Sequence, residues 1–185
     1  MPITTPDGPD GAPALIGERL ARLSRGESFS AEQAPAVFRP IPVYRISLSA
    51  LTTEENVDLL SLLPQGWRYV VRERGELVLV DVSAPQNADT RVTRVTRGLA
   101  GIQVLTTALQ AEQVANPVNE YEARIMDLRP AGAVYIWLHG QDDLFFALSD
   151  PAVALAAAQV VGPAQEHARR IMAIDLGAGR EDLGS

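Results

Sequence analysis

Trp67-Arg-Tyr-Val-Val-Arg-Glu-Arg-Gly-Glu-Leu-Val-Leu-Val-Asp-Val82 contains two strand-like runs, Trp67–Glu73 and Glu76–Val82, joined through Arg74-Gly75. Aromatic and β-branched residues favour a pleated, half-buried surface, and a two-residue link ending in glycine supplies the positive φ of a tight turn. Strands joined so tightly must be antiparallel. Gly140-Gln-Asp-Asp143 makes a similar turn between Ala133–His139 and Leu144–Leu148. Two such turns set the class as α+β, with helices against a mainly antiparallel sheet.

Further elements are read outward from the hairpin. Upstream, Val43-Tyr-Arg-Ile-Ser-Leu48 alternates as a strand does. Thr52-Thr-Glu-Glu55 then has the form of a capping box for a helix carrying Val57, Leu59, Leu60, Leu62 and Leu63, which stops at Pro64 and Gly66. Downstream, Val92, Val95, Leu99, Ile102, Leu105 and Leu109 recur at three- and four-residue steps and predict one helix from about Asp89 to Ala115. The rival reading is a strand over Thr90–Thr96, where Thr and Val favour extension. Gly98 and Gly101 each cost a helix about 1 kcal/mol relative to alanine, so a close approach by another element is expected there.

Tyr121–Leu128, Ala133–His139 and Leu144–Leu148 bring the expected sheet to about six strands. Asp150-Pro151 reads as an N-cap with proline in the first helical position, giving a helix to Val161. Gly162-Pro163 is expected to break it before a second helix to about Ile174. Seven of the 13 prolines fall within the first 42 residues. That segment reads as an arm with one amphipathic helix, Pro13–Ser24, using Leu15, Ile16, Leu20 and Leu23 and stopping at Gly26. Ser30-Ala-Glu-Gln33 has the form of a further capping box. The expected organisation is a partly disordered arm over residues 1–40, with 1–12 disordered, one α+β domain over 41–176, and a flexible tail over 177–185.

Composition narrows the chemistry. All 16 cationic side chains are arginine, against 23 acidic residues, and cysteine is absent. The missing thiol rules out cysteine nucleophiles, thiolate metal sites and disulfides. The missing lysine rules out Schiff-base chemistry and a P-loop. A net charge of −7 and a sequence pI near 4.8 repel nucleic acid and anionic membranes. Residues 1–13 lack the basic start and apolar run of a signal peptide, and Ala152–Val161 is about half a membrane span. The expectation is a soluble, cytoplasmic protein that binds neither nucleic acid nor membrane and holds no cofactor or metal.

Three constellations remain. Arg91, Arg94 and Arg97 stand three apart beside the start of the predicted helix, where guanidinium forks and free N–H groups would converge on an anion; the alternative is a solvated, ion-paired face. His139 with Asp142 and Asp143 offers an oriented base or a polar site, although aspartates in a turn have their own local role. Finally, Val134, Ile136 and Leu138 oppose Tyr135 and Trp137, and Phe146 opposes Phe145. Strands apolar on both faces need both faces covered, by the chain itself, a small molecule or another subunit. If a subunit covers them, Tyr135, Trp137 and Phe145 are its anchors.

The leading expectation is a non-catalytic interaction or structural protein, a homo-oligomer or component of a larger assembly. A small-anion-binding domain using the arginine row comes second. A hydrolase using carboxylates near His139 comes third.

Overall fold

The structure is a computed structural model and describes residues 3–23, 36–37, 40–53, 57–83, 89–115, 118–128 and 132–181. Among these the elements run β1 (Ile3–Thr4), α1 (Ala12–Leu23), β2 (Ala36–Val37), β3 (Ile41–Arg45), α2 (Leu48–Thr53), β4 (Gly66–Glu73), β5 (Glu76–Ser83) and β6 (Arg91–Thr96). The remainder are α3 (Leu99–Val114), β7 (Tyr121–Leu128), β8 (Ala133–His139), β9 (Leu144–Ala147) and α4 (Ala157–Glu181), with a 3-10 turn at Leu59–Ser61. The fold is α+β with a mainly antiparallel sheet, as the hairpin reading requires.

The sheet runs β6-β5-β4-β3-β7-β8-β9. Arg74 and Gly75 both have positive φ, 51° and 83°, and this two-residue turn fixes the β4/β5 register from Glu73 opposite Glu76 back to Trp67 opposite Val82. β3 joins two antiparallel meanders, β4-β5-β6 and β7-β8-β9. It runs antiparallel to β4 and parallel to β7, with Val43 opposite Ile125. β1 extends the parallel seam, with Ile3 opposite Tyr121, and β2 lies along β4. Ile3–Thr4 is therefore strand, in a stretch expected to be disordered.

Both sheet faces are covered by the chain. α3 lies on one face, where Val104, Ala111 and Ala115 pack with Val43, Ile125, Ile136, Leu138 and Phe146. On the opposite face, α1 buries Ala12, Ile16 and Leu20 against Tyr69, Val71, Val78, Val80 and Val82. Beside it, α2 and α4 bury Leu51, Val160, Ala164 and Ala168 against Tyr44, Met126, Leu128, Trp137 and Phe145.

Three expected elements are corrected. Arg91–Thr96 is a strand; the helix begins only at Leu99. A register shift between Asp81 and Val82 leaves Thr93 as an extra residue in β6, so Val92 and Val95, three apart, share one face. A bulged strand thus imitates the three-residue step of a helix. Next, the helix expected over Val57–Leu63 sits earlier, at α2. Ser47 Oγ accepts from the Ala50 N–H at 3.1 Å and starts α2 there; Glu54 to Asn56, which include part of the expected capping box, lie outside the described residues. The third concerns Pro151–Ala156, which is not helical. Leu155 exchanges both backbone hydrogen bonds with Phe145, at 2.9 and 2.8 Å. α4 then continues through Gly162-Pro163, because Val160, Ala164 and Ala168 on either side of the proline are held in the core. The Ser30–Gln33 capping box lies outside the described residues.

The glycines of α3 serve two different purposes. A Cβ on Gly101 would stand 3.1 Å from both the Cβ and the carbonyl oxygen of Leu77, so this is a close approach of helix to strand, as expected. Gly98 instead takes φ 89° at the strand-to-helix junction, a left-handed backbone that suits glycine.

Candidate functional site

α3 does not cover all of its sheet face. At the β3/β5/β6 end, Val43, Arg45, Gln65, Gly66, Asp81, Ser83, Thr93 and Arg94 line an open cleft of about 500 Å³. Asp81 and Arg94 also line a smaller recess of about 170 Å³ that runs under α3 beside Arg68, Ala100, Gln103 and Val104. The two cavities therefore share a wall.

That wall is a buried ion pair. Arg68 and Asp81 face each other in the hairpin register, and the guanidinium donates through Nε to Oδ1 at 2.7 Å and through an Nη to Oδ2 at 3.0 Å. Both residues are over nine-tenths buried. Parallel, charge-assisted bonds of this kind fix orientation as well as energy. At the C-terminal end of β3, Arg45 donates to the buried Asp127 at a longer 3.4 Å and stays partly open to solvent.

Arg91 and Arg94 lie on a strand, and of the arginine row only Arg97 stands beside a helix N-terminus, next to the α3 N-cap Gly98. The β6 bulge places Arg94 opposite Asp81 and Arg91 opposite Ser83, so both lie on the cleft side of the strand. In an unbroken strand, residues three apart face opposite sides. Arg97 is separate from them and donates to the buried Glu73 at 2.8 Å. Among the described residues, Arg91 and Arg94 have no ion-pair partner. The structure thus brings two of the three arginines together and adds Arg45, Arg68 and Asp81, which sequence reasoning missed. The missed signal was a charge within each apolar hairpin strand, at positions the turn places opposite one another.

Trp137 and Phe145 are not available as interface anchors. Both are fully buried within the chain, stacked with ring centroids 5.6 Å apart, and Tyr135 is half-buried with its edge against Phe145. α2 and α4 supply the cover that another subunit was considered for. Arg124 lies over both Trp137 and Tyr44, 4.7 and 4.9 Å from their ring centres, and donates to Glu122 at 2.7 Å. Burial raises the Tyr44 hydroxyl above its ordinary pKa of 10.0, Arg124 opposes that rise and Glu122 adds to it.

His139 Nδ1 and Asp143 Oδ1 are 2.8 Å apart across the β8–β9 turn. Asp142 is exposed in that turn. The His139–Asp143 contact closes the turn locally, and no group of three or more His, Asp or Glu among the described residues is placed to hold a metal ion. No helix among the described residues is long and apolar enough to cross a membrane.

The outer side of α3 carries a different feature. Leu99, Ile102 and Leu109 are 73%, 50% and 52% exposed along one helical stripe, with Thr106 and Gln113 between and beyond them. Beside the first turn, Leu99, Ile102 and Gly98 form an open groove of about 670 Å³ with Arg72, Gly75, Glu76 and Leu77 at the hairpin tip. No family model, curated protein or solved structure matches this chain. The function is read from these surfaces.

Proposed function

We propose that the protein acts by association rather than catalysis, pairing with a second copy of itself through the outer face of α3. The observation that carries this reading is the exposed Leu99–Ile102–Leu109 stripe on a helix whose inner face is already in the core. A surface helix normally presents polar residues outward, whereas one apolar on both sides belongs between two layers. Within α3, Glu112 is the only charged residue. The uncharged stripe therefore suits an equally uncharged surface, and its own copy is one.

The stripe suits a two-fold arrangement. An axis near Leu105 and Thr106 brings Ile102 of each copy against Leu109 of the other, as an isologous contact requires. The three exposed side chains present on the order of 350 Å² of apolar surface, within the size range of patches that are often functional. Thr106, Gln113 and the hairpin-tip groove border it and extend the face toward the size of a standard interface, roughly 800 Å² per partner.

Sedimentation velocity over a wide concentration range tests the reading. A species of twice the 19.9 kDa chain mass is expected. Ile102→Asp places one unpaired charge per copy in the contact and is expected to raise Kd by about 100-fold or more. Ile174→Asp, at an exposed position on α4, is expected to leave it unchanged. A monomer at every concentration, or equal effects of the two variants, refutes self-association.

A further inference from the structure

The cleft bounded by β3, β5 and β6 has a charge balance opposite to that of the whole molecule. Arg45, Arg68 and Arg94 line it or its recess, against Asp81 and the neighbouring Asp127. The two carboxylates are already engaged by Arg68 and Arg45, which leaves Arg94 in surplus. Arg91 adds a second uncommitted guanidinium on the same side of β6. In a chain of net charge −7, a concave pocket with surplus positive charge focuses small anions against the prevailing field.

Three features separate this cleft from an ordinary solvated arginine face. The bulge at Asp81/Val82 turns Arg91 and Arg94 to one side, and bulges commonly re-aim side chains beside functional sites. The Arg68–Asp81 pair is buried and bonded through two parallel contacts, so the back wall is rigid before any ligand arrives. Gln65, Ser83 and Thr93 place amide and hydroxyl groups around the rim. Thr93 Oγ1 is itself anchored on the Asp81 carbonyl at 3.1 Å.

We infer that this cleft binds a small organic oxyanion, a carboxylate or a phosphate ester bearing further hydroxyl groups. Arg94 is the charge-recognising residue, Arg45 a second contact, and the Arg68–Asp81 pair the fixed wall. A guanidinium fork matches the paired oxygens of either anion. The loose Arg45–Asp127 contact lets Arg45 turn toward the ligand without breaking a tight bidentate pair. The inference is independent of self-association, since the cleft residues lie on the sheet and the stripe on the outer side of α3.

Inorganic phosphate and malonate are the probes, used in thermal unfolding at constant ionic strength. At about ten times Kd, either is expected to raise Tm by roughly 3–5 °C. Arg94→Gln is expected to remove most of that shift, and Arg94→Lys, which keeps the charge but not the fork, to reduce it. Arg169→Gln, an exposed position on α4, is expected to keep it. Backbone amide shifts at Gly66 and Thr93 on titration localise the site independently of stability. Response to phosphate alone assigns the ligand to the phosphate esters, and response to malonate alone assigns it to the carboxylates. The inference is overturned if neither anion shifts Tm, if Arg94→Gln responds like the unaltered chain, or if the perturbed amides lie elsewhere.

Discussion

Removing the Asp81 carboxylate tests the hairpin wall directly. Asp81→Leu leaves the Arg68 guanidinium, over nine-tenths buried, without its two charge-assisted partners at 2.7 and 3.0 Å. Breaking a buried pair by deleting one member costs about 3–5 kcal/mol. The adjoining recess lets water relieve part of that charge, which favours the lower end, about 3 kcal/mol. For a chain of this length the loss corresponds to a Tm drop of about 6–12 °C. Arg68→Met is expected to act in the same direction by leaving Asp81 unpaired. The double variant restores an apolar cross-strand pair and is expected to be more stable than either single one. Urea unfolding of all four proteins closes the cycle, and repeating it in high salt should change the coupling little, since a buried pair is poorly screened. A single-variant cost below about 1 kcal/mol, typical of surface pairs, would refute the argument. Additivity of the two substitutions would refute it equally.

Two further predictions follow from packing and titration. Gly101→Val is expected to destabilise by about 2 kcal/mol by overpacking against Leu77, outweighing the gain in helix propensity; a neutral result in chemical denaturation would mean α3 stands farther from β5. Burial raises Tyr44, Tyr69 and Tyr135 above 10.0, so the folded state holds those protons longer than the unfolded one. Stability is thus unaffected by them below that pH and falls as pH rises through and beyond it, which unfolding free energies paired with phenolate absorbance will follow. Phenolate formation by all the tyrosines in one transition near 10.0 would contradict this.

The sequence made the meanders legible because turn chemistry is local. Arg74-Gly75 dictates which residues face each other along β4 and β5, and the β7 and β8 limits, Tyr121–Leu128 and Ala133–His139, coincide with the expected runs. Elements decided by distant partners were not legible. The Thr-Arg-Val repeat became a strand because β5 offered an edge, and its bulge gave the spacing that suggested a helix. Gly162-Pro163 is a local stop overridden by the core around Ala164 and Ala168. At the candidate site, Arg91 and Arg94 stood out by their spacing. Arg68 and Asp81 have no spacing signal of their own, because only the register set by the Arg74-Gly75 turn brings them opposite one another. The two-sided apolar strands correctly required two covers, but sequence alone did not reveal that α4, rather than a neighbouring molecule, lies over Trp137.

The parallel seam between β3 and β7 has a kinetic consequence. Within each meander, neighbouring strands are joined by short connections, except across the β5–β6 link, and each finds its partner by closing a small loop. Arg45 and Asp127, at the seam, are 82 positions apart. Closing a loop of that length costs about 4 kcal/mol of chain entropy before any contact across it is gained. The two hairpin-rich halves are therefore expected to form before the seam, and closure of the seam is expected to set the folding rate.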